Sequence, residues 1–119
     1  MRLTHGQKIM RLFHITSFGP EIRKSGEMRR GSNGIAGGGI YFAETEAEAS
    51  MKAHTSGWIV TAKVLVGRSK MMQRPEFATF ESLYASGYHS VEYIGLRTGA
   101  EYIVYNKDQV EILSILPQV

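Results

Sequence analysis

Nine residues, WIVTAKVLV from Trp58 to Val66, alternate so that Trp58, Val60, Ala62, Val64 and Val66 share one side. A pleated strand points successive side chains to opposite faces, and β-branched residues suit that surface. The run predicts a strand with one face in the core, and the rest of the chain must supply partners for that face. MRLFHIT (Met10 to Thr16) is one partner, with Leu12, His14 and Thr16 on one face and Phe13 and Ile15 on the other. Both faces are largely apolar, as in an interior strand. GIYFA (Gly39 to Ala43) is a second short strand, in which Tyr41 and Ala43 point away from Ile40 and Phe42. Three more strand-like runs follow, YHSVEYI, EYIVYN and VEILSIL, set apart by turn signals at Gly95, Thr98–Gly99 and Asn106–Lys107–Asp108.

Helical signals are few. Thr45 followed three residues later by Glu48 reads as a capping box, opening a helix over roughly Glu46 to His54. The segment from Gly67 to about Gly87 is the least regular, with one helical turn expected near Phe80 to Ala85. Strands outnumber helices and short turns join neighbouring runs. The fold class expected is α+β, a mostly antiparallel β-sheet core with few short helices, in a single domain over residues 1–119.

Composition removes several classes of function. With no Cys there is no disulfide, thiolate nucleophile or Cys-based zinc site. The four His (His5, His14, His54, His89) lack ligand spacing, so no metal is expected. No apolar run nears the roughly 18 residues of a membrane span. MRLTHGQKIMRLFHI has scattered charges and no continuous apolar stretch, so no secretory leader is expected. A cytoplasmic or nuclear location follows, with delivery as an effector or toxin left open. The net charge is +3, and the bases gather in RKSGEMRR (Arg23 to Arg30) and VGRSKMMQR (Val66 to Arg74). Such clusters suit an anionic ligand or nucleic acid, while a solvated loop surface is the plainer reading of either alone.

GSNGIAGGG, ahead of the Tyr41 strand, lacks the GK[ST] ending of a phosphate-binding P-loop. It also enters a strand, where a dinucleotide fingerprint leaves a strand and opens a helix. Two readings remain: the glycines make tight turns, or they let backbone approach a ligand closely. Ser50, Ser82, Ser86 and Ser90 have no nucleophile-elbow context. Tyr41 and Tyr102 are ordinary core aromatics on this reading, and His14 a hydrogen-bonded core histidine. Glu101 is harder to place structurally, because it opens the apolar strand EYIVY, where an unpaired buried carboxylate costs several kcal/mol.

Taken together, LFHITS, GGGIYFAE, GYHSV (Gly87 to Val91) and AEYIVYNKDQV resemble, in order, the motifs of the poly(ADP-ribose) polymerase-like ADP-ribosyltransferases. The similarity runs from about Leu12 to Leu116 and carries that family's His–Tyr–Glu triad at His14, Tyr41 and Glu101. It implies a split β-sheet with NAD⁺ in a cleft as the substrate. His14 would bond the adenosine ribose, the backbone around Ile15 would hold the nicotinamide carboxamide, and Tyr41 would stack on the nicotinamide ring. Glu101 would hold the nicotinamide ribose 2′-hydroxyl and stabilise the cation formed as nicotinamide leaves. Thr16, Gly39 and Ser50 stand at further NAD⁺-contacting positions.

Three departures from the family pattern qualify it. Ile15 stands where the family has Gly; Ser50 is about one position from the family's helix Ser; and Lys52, Ala53 or His54 replaces a second stacking Tyr. The compact Tyr41–Glu101 segment favours transfer of a single ADP-ribose unit over polymer synthesis. The implied function is an NAD⁺-dependent mono-ADP-ribosyltransferase, with NAD⁺ glycohydrolysis or a catalytically weak NAD⁺/ADP-ribose-binding module as alternatives. A protein is the expected acceptor, a nucleic acid the alternative the basic clusters allow, and no membrane partner is implied.

Overall fold

The computed structural model describes residues 8–31, 34–52 and 57–118. Seven strands form one sheet in the order β4-β5-β6-β2-β1-β3-β7. They are β1 (Ile9–Thr16), β2 (Ile40–Ala43), β3 (Trp58–Leu65), β4 (Ser69–Met72), β5 (Ser90–Tyr93), β6 (Glu101–Val104) and β7 (Val110–Pro117). Three short helices, α1 (Gly19–Ser25), α2 (Glu46–Lys52) and α3 (Phe80–Ala85), and a 3₁₀ turn at Lys107–Gln109 complete the described elements. The class is therefore α+β. Most neighbouring strands are antiparallel, and β4 and β5 run parallel, so the sheet is mixed.

β1 and β3 pair along their whole lengths, from Ile9 opposite Leu65 to Thr16 opposite Trp58. This register sets Leu12 beside Ala62 and His14 beside Val60, so the alternation in both sequences meets on one face. Leu12, Phe42, Val60, Ala62, Val64, Val66, Tyr102 and Val104 form the larger core cluster there, with Ile22 of α1 packed against it. Fully burying each large apolar side chain of this kind contributes about 1.5–3 kcal/mol. The opposite face carries two smaller clusters. Leu83 of α3 packs on Met72, Val91, Tyr93 and Ile103, and Ala49 of α2 packs on Ile15 and Ala43.

Helix boundaries follow local chemistry. Pro20 stands at the start of α1, where a missing N–H costs nothing, and Gly26 ends it in a left-handed conformation (φ 73°). The Thr45 hydroxyl accepts a hydrogen bond from the Glu48 amide at 3.1 Å and caps α2, as the Thr45/Glu48 spacing predicts. α2 is described to Lys52; Ala53 and His54, within the expected helix, lie outside the described residues, as does His5. Thr79 and Ser82 make a reciprocal capping box at the start of α3. No helix among the described residues is long and apolar enough to cross a membrane.

The sheet is continuous but unevenly joined. β1 and β2 meet in the ladder at Phe13 opposite Ala43, whereas β2 pairs with β6 along its full length. The β7 edge is interrupted by a register shift opposite Thr61 and Ala62, and the Arg23 guanidinium donates to the Ile115 carbonyl.

Candidate functional site

β1, β2 and β6 are adjacent, so His14, Tyr41 and Glu101, far apart in sequence, come from neighbouring strands. Ala43 lies opposite Glu101 and Tyr41 opposite Ile103. Because side chains alternate, Tyr41 and Glu101 share a face as a diagonal cross-strand pair, with about 7–8 Å between such positions. Burial pushes the Tyr41 phenol above its usual pKa; the Ala36 hydrogen bond opposes this and the nearby Glu101 charge adds to it. Glu101 is half-buried.

His14 belongs by alternation to the opposite face, with Leu12 and Thr16. Its ring reaches across to β2, where Nδ1 lies 2.6 Å from the Tyr41 carbonyl oxygen. A carbonyl can only accept, so Nδ1 carries the proton. The ring also packs edge-on to Phe42, with centroids 6.0 Å apart. Burial lowers the His14 pKa from 6.5, outweighing the carbonyl bond that raises it. The neutral ring therefore presents Nε2 as an acceptor.

The lowered pKa has a consequence for stability. The unfolded chain takes up a proton at His14 more readily than the folded one, so stability is present above the unfolded value of 6.5 and falls as pH drops below it. Thermal unfolding between pH 7.5 and 5.5 should show a falling midpoint, and NMR titration of the His14 ring should give a midpoint below that of the unfolded chain. A ring that titrates at or above the unfolded value would contradict the neutral, carbonyl-bound state.

The glycine-rich segment is held by two phenols. The Tyr41 hydroxyl donates to the Gly37 carbonyl at 2.6 Å and accepts from the Ala36 amide at 3.0 Å. The Tyr105 hydroxyl donates to the Ala36 carbonyl. Gly37 has φ +85°, and a β-carbon there would lie 2.7 Å from the Ala78 carbonyl oxygen. A β-carbon on Gly39 would come within 2.5 Å of Ile103. Close approach between segments of this chain thus accounts for both glycines.

The remaining residues of the motif set divide. Ile15 is buried against Ala43 and Ala49, so its branched side chain fills space beneath α2. Thr16 is buried, and its hydroxyl accepts from the Phe18 amide at 3.0 Å. Ser50 is exposed, its hydroxyl accepting from Gln118 at 3.0 Å, away from the Tyr41–Glu101 pair. Two residues not singled out by sequence join the site. One is Tyr105, through its bond to the glycine segment. The other is Glu48, whose carboxylate lies against Gly99 (φ +103°) in the turn before Glu101. Glu48 Oε2 is buried with no hydrogen-bond partner among the described residues. The helix-capping pattern explained Glu48 in sequence terms and so concealed its approach to this turn.

Among the described residues no group of three or more His, Cys, Asp or Glu is arranged to hold a metal ion. Two surface grooves, of about 520 and 550 Å³, lie between α1 and β7, on the far side of β1 and β3 from Glu101. Scanned against protein-family models the chain finds no match, and a search among curated proteins finds none either.

Proposed function

We propose that the chain is an ADP-ribosyltransferase-like domain that cleaves the nicotinamide–ribose bond of NAD⁺ and transfers one ADP-ribose unit to a macromolecular acceptor. The observation that carries this reading is that Tyr41 and Glu101 share one face of the adjacent strands β2 and β6, with His14 of β1 tied from the other face to the Tyr41 carbonyl. The reaction consumes NAD⁺ and acceptor and yields nicotinamide, the ADP-ribosylated acceptor and one proton. The ribose–nitrogen bond breaks with its electron pair going to the nicotinamide ring, and positive charge develops on the ribose. A fixed carboxylate at Glu101 stabilises that charge and takes the acceptor's proton as the new bond forms. A ribose hydroxyl donates to His14 Nε2, the acceptor left by the Nδ1–H bond to Tyr41. Tyr41 supplies the ring face on which nicotinamide stacks. The single ladder pair between β1 and β2 accords with a split sheet, whose unladdered edge beyond Phe13 offers main-chain groups to a carboxamide.

The buried Ile15 side chain favours a second reading, a module that binds NAD⁺ or ADP-ribose with little turnover. Incubation with adenylate-labelled NAD⁺ and cell lysate distinguishes the readings. Nicotinamide release matched by label in an acceptor is expected. Release without incorporation means a glycohydrolase, and absence of both, with retained NAD⁺ binding, means the module.

A further inference from the structure

We propose that the β4–α3 side of the molecule binds single-stranded nucleic acid and leads it toward the Tyr41–Glu101 face as acceptor. The leading role rests on the transferase reading; the binding does not. Phe77 is 77 % exposed, the largest value among the exposed large apolar side chains of the described residues. Its loop is docked on the glycine segment: the Glu76 amide donates to the Ile35 carbonyl at 2.9 Å. The Phe77 ring edge lies 3.3 Å from where a Gly37 β-carbon would sit, and the Gly37 carbonyl accepts from the Tyr41 hydroxyl. One peptide unit therefore separates an exposed phenylalanine from the central tyrosine of the candidate site.

Further aromatic rings continue from Phe77 along α3 to the turn before β5. Tyr84, 59 % exposed, stacks on Phe80 with centroids 5.6 Å apart and meets His89 edge-on at 6.1 Å. The Arg68 guanidinium lies 5.0 Å from the Tyr88 ring centroid. Arg68, Lys70 and Arg74 follow β4, and the Gly31 amide bonds the Gly39 carbonyl, bringing Arg29 and Arg30 to the other flank of the glycine segment. On the acidic side, Glu76 pairs with Lys70 at 3.0 Å and Glu81 is exposed. Arg29, Arg30, Arg68 and Arg74 hold no salt bridge among the described residues. Two exposed rings, Phe77 and Tyr84, with half-buried Phe80 and Tyr88 beside them and guanidinium groups nearby, fit a strand whose bases stack and whose phosphates pair with arginine. Protein interfaces also draw on aromatic and arginine side chains; the salt slope and the preference for a single strand are what separate the two kinds of partner.

The test is fluorescence anisotropy of the full chain with a labelled mixed-sequence oligonucleotide, as single-stranded DNA, as RNA and as a DNA duplex. Binding of a single strand, weakening as salt rises with a slope of about −0.7 per phosphate contact, is expected. Phe77→Ala should weaken it about tenfold, while Phe77→Trp retains it. Arg68→Ala with Arg74→Ala should flatten the salt slope. Phe77 is exposed, so circular dichroism should show these variants folded. No single-strand binding at low salt, equal binding by Phe77→Ala, or tighter binding of the duplex would each overturn the proposal. NAD⁺ turnover is not read, so this result and that of the transferase assay are independent.

Discussion

Glu101→Gln is expected to lower nicotinamide release from NAD⁺ by about 10²–10³-fold while leaving thermal unfolding close to that of the parent chain. The two side chains have nearly the same shape, and the backbone of residue 101 stays paired with Ala43 on one side and Tyr93 on the other. What changes is the charge. A carboxylate aimed at a developing ribose cation contributes its full attraction only in the transition state, so kcat should fall far more than KM for NAD⁺ rises. Removal of the charge also relieves one of the influences raising the Tyr41 phenol's pKa, so that phenol should titrate lower in the variant. A variant with unchanged kcat would remove Glu101 from the mechanism, whatever its effect on Tyr41.

The largest expected loss of stability is at Phe42. It is 1 % exposed on β2, the strand between the His14 and Glu101 strands, and it belongs to the larger core cluster. Truncation to alanine removes a buried ring and leaves a cavity that neighbouring strands can close only in part. Such changes cost about 3–5 kcal/mol. Whole-domain stabilities are about 5–15 kcal/mol, so Phe42→Ala should leave a marginal protein. Urea unfolding should show a much lower midpoint with an unchanged slope. A loss under about 1 kcal/mol would mean that the ring is not packed as described. The same ring supports His14 edge-on, so residual activity in this variant reports loosened positioning as well as lost folding.

What was legible in the sequence was what depends on local pattern. The alternation of Trp58, Val60, Ala62, Val64 and Val66 marks one face because a strand has a period of two; the last four are fully buried, while Trp58 at the strand's start is only half-buried, under the Arg23 guanidinium. The Thr45 region reads as a helix start because capping is a contact over three residues, whereas the Thr79 cap of α3 is seen only in the structure. α1 was missed, though Pro20 and Gly26 bracket it, because seven residues give too little periodicity to stand out from a basic cluster. β4 was missed because SKMM has no β-branched residue; its strand character comes from parallel pairing with β5. The site was legible only in part. Sequence places His14 with Leu12 and Thr16, and nothing local says that its ring turns to the Tyr41 carbonyl. Nor could sequence decide between turn-making and close approach for the glycines. That depends on Tyr105 and Ala78, which arrive from distant segments.

The thin junction between β1 and β2 bears on how the chain folds. On one side of it lie β1, β3 and β7; on the other lie β2, β4, β5 and β6. Neither group is contiguous in sequence, since β2 falls between β1 and β3, and β4 to β6 fall between β3 and β7. Joining β3 to β7 closes a loop that contains most of the opposite group. Neither group can then be completed while the other is left as an untethered segment. Such topology favours slow, all-or-none folding over stepwise assembly, because distant strands must be brought together before their pairing stabilises anything. A sheet that is locally easy to part is thereby threaded so that its two parts stand or fall together.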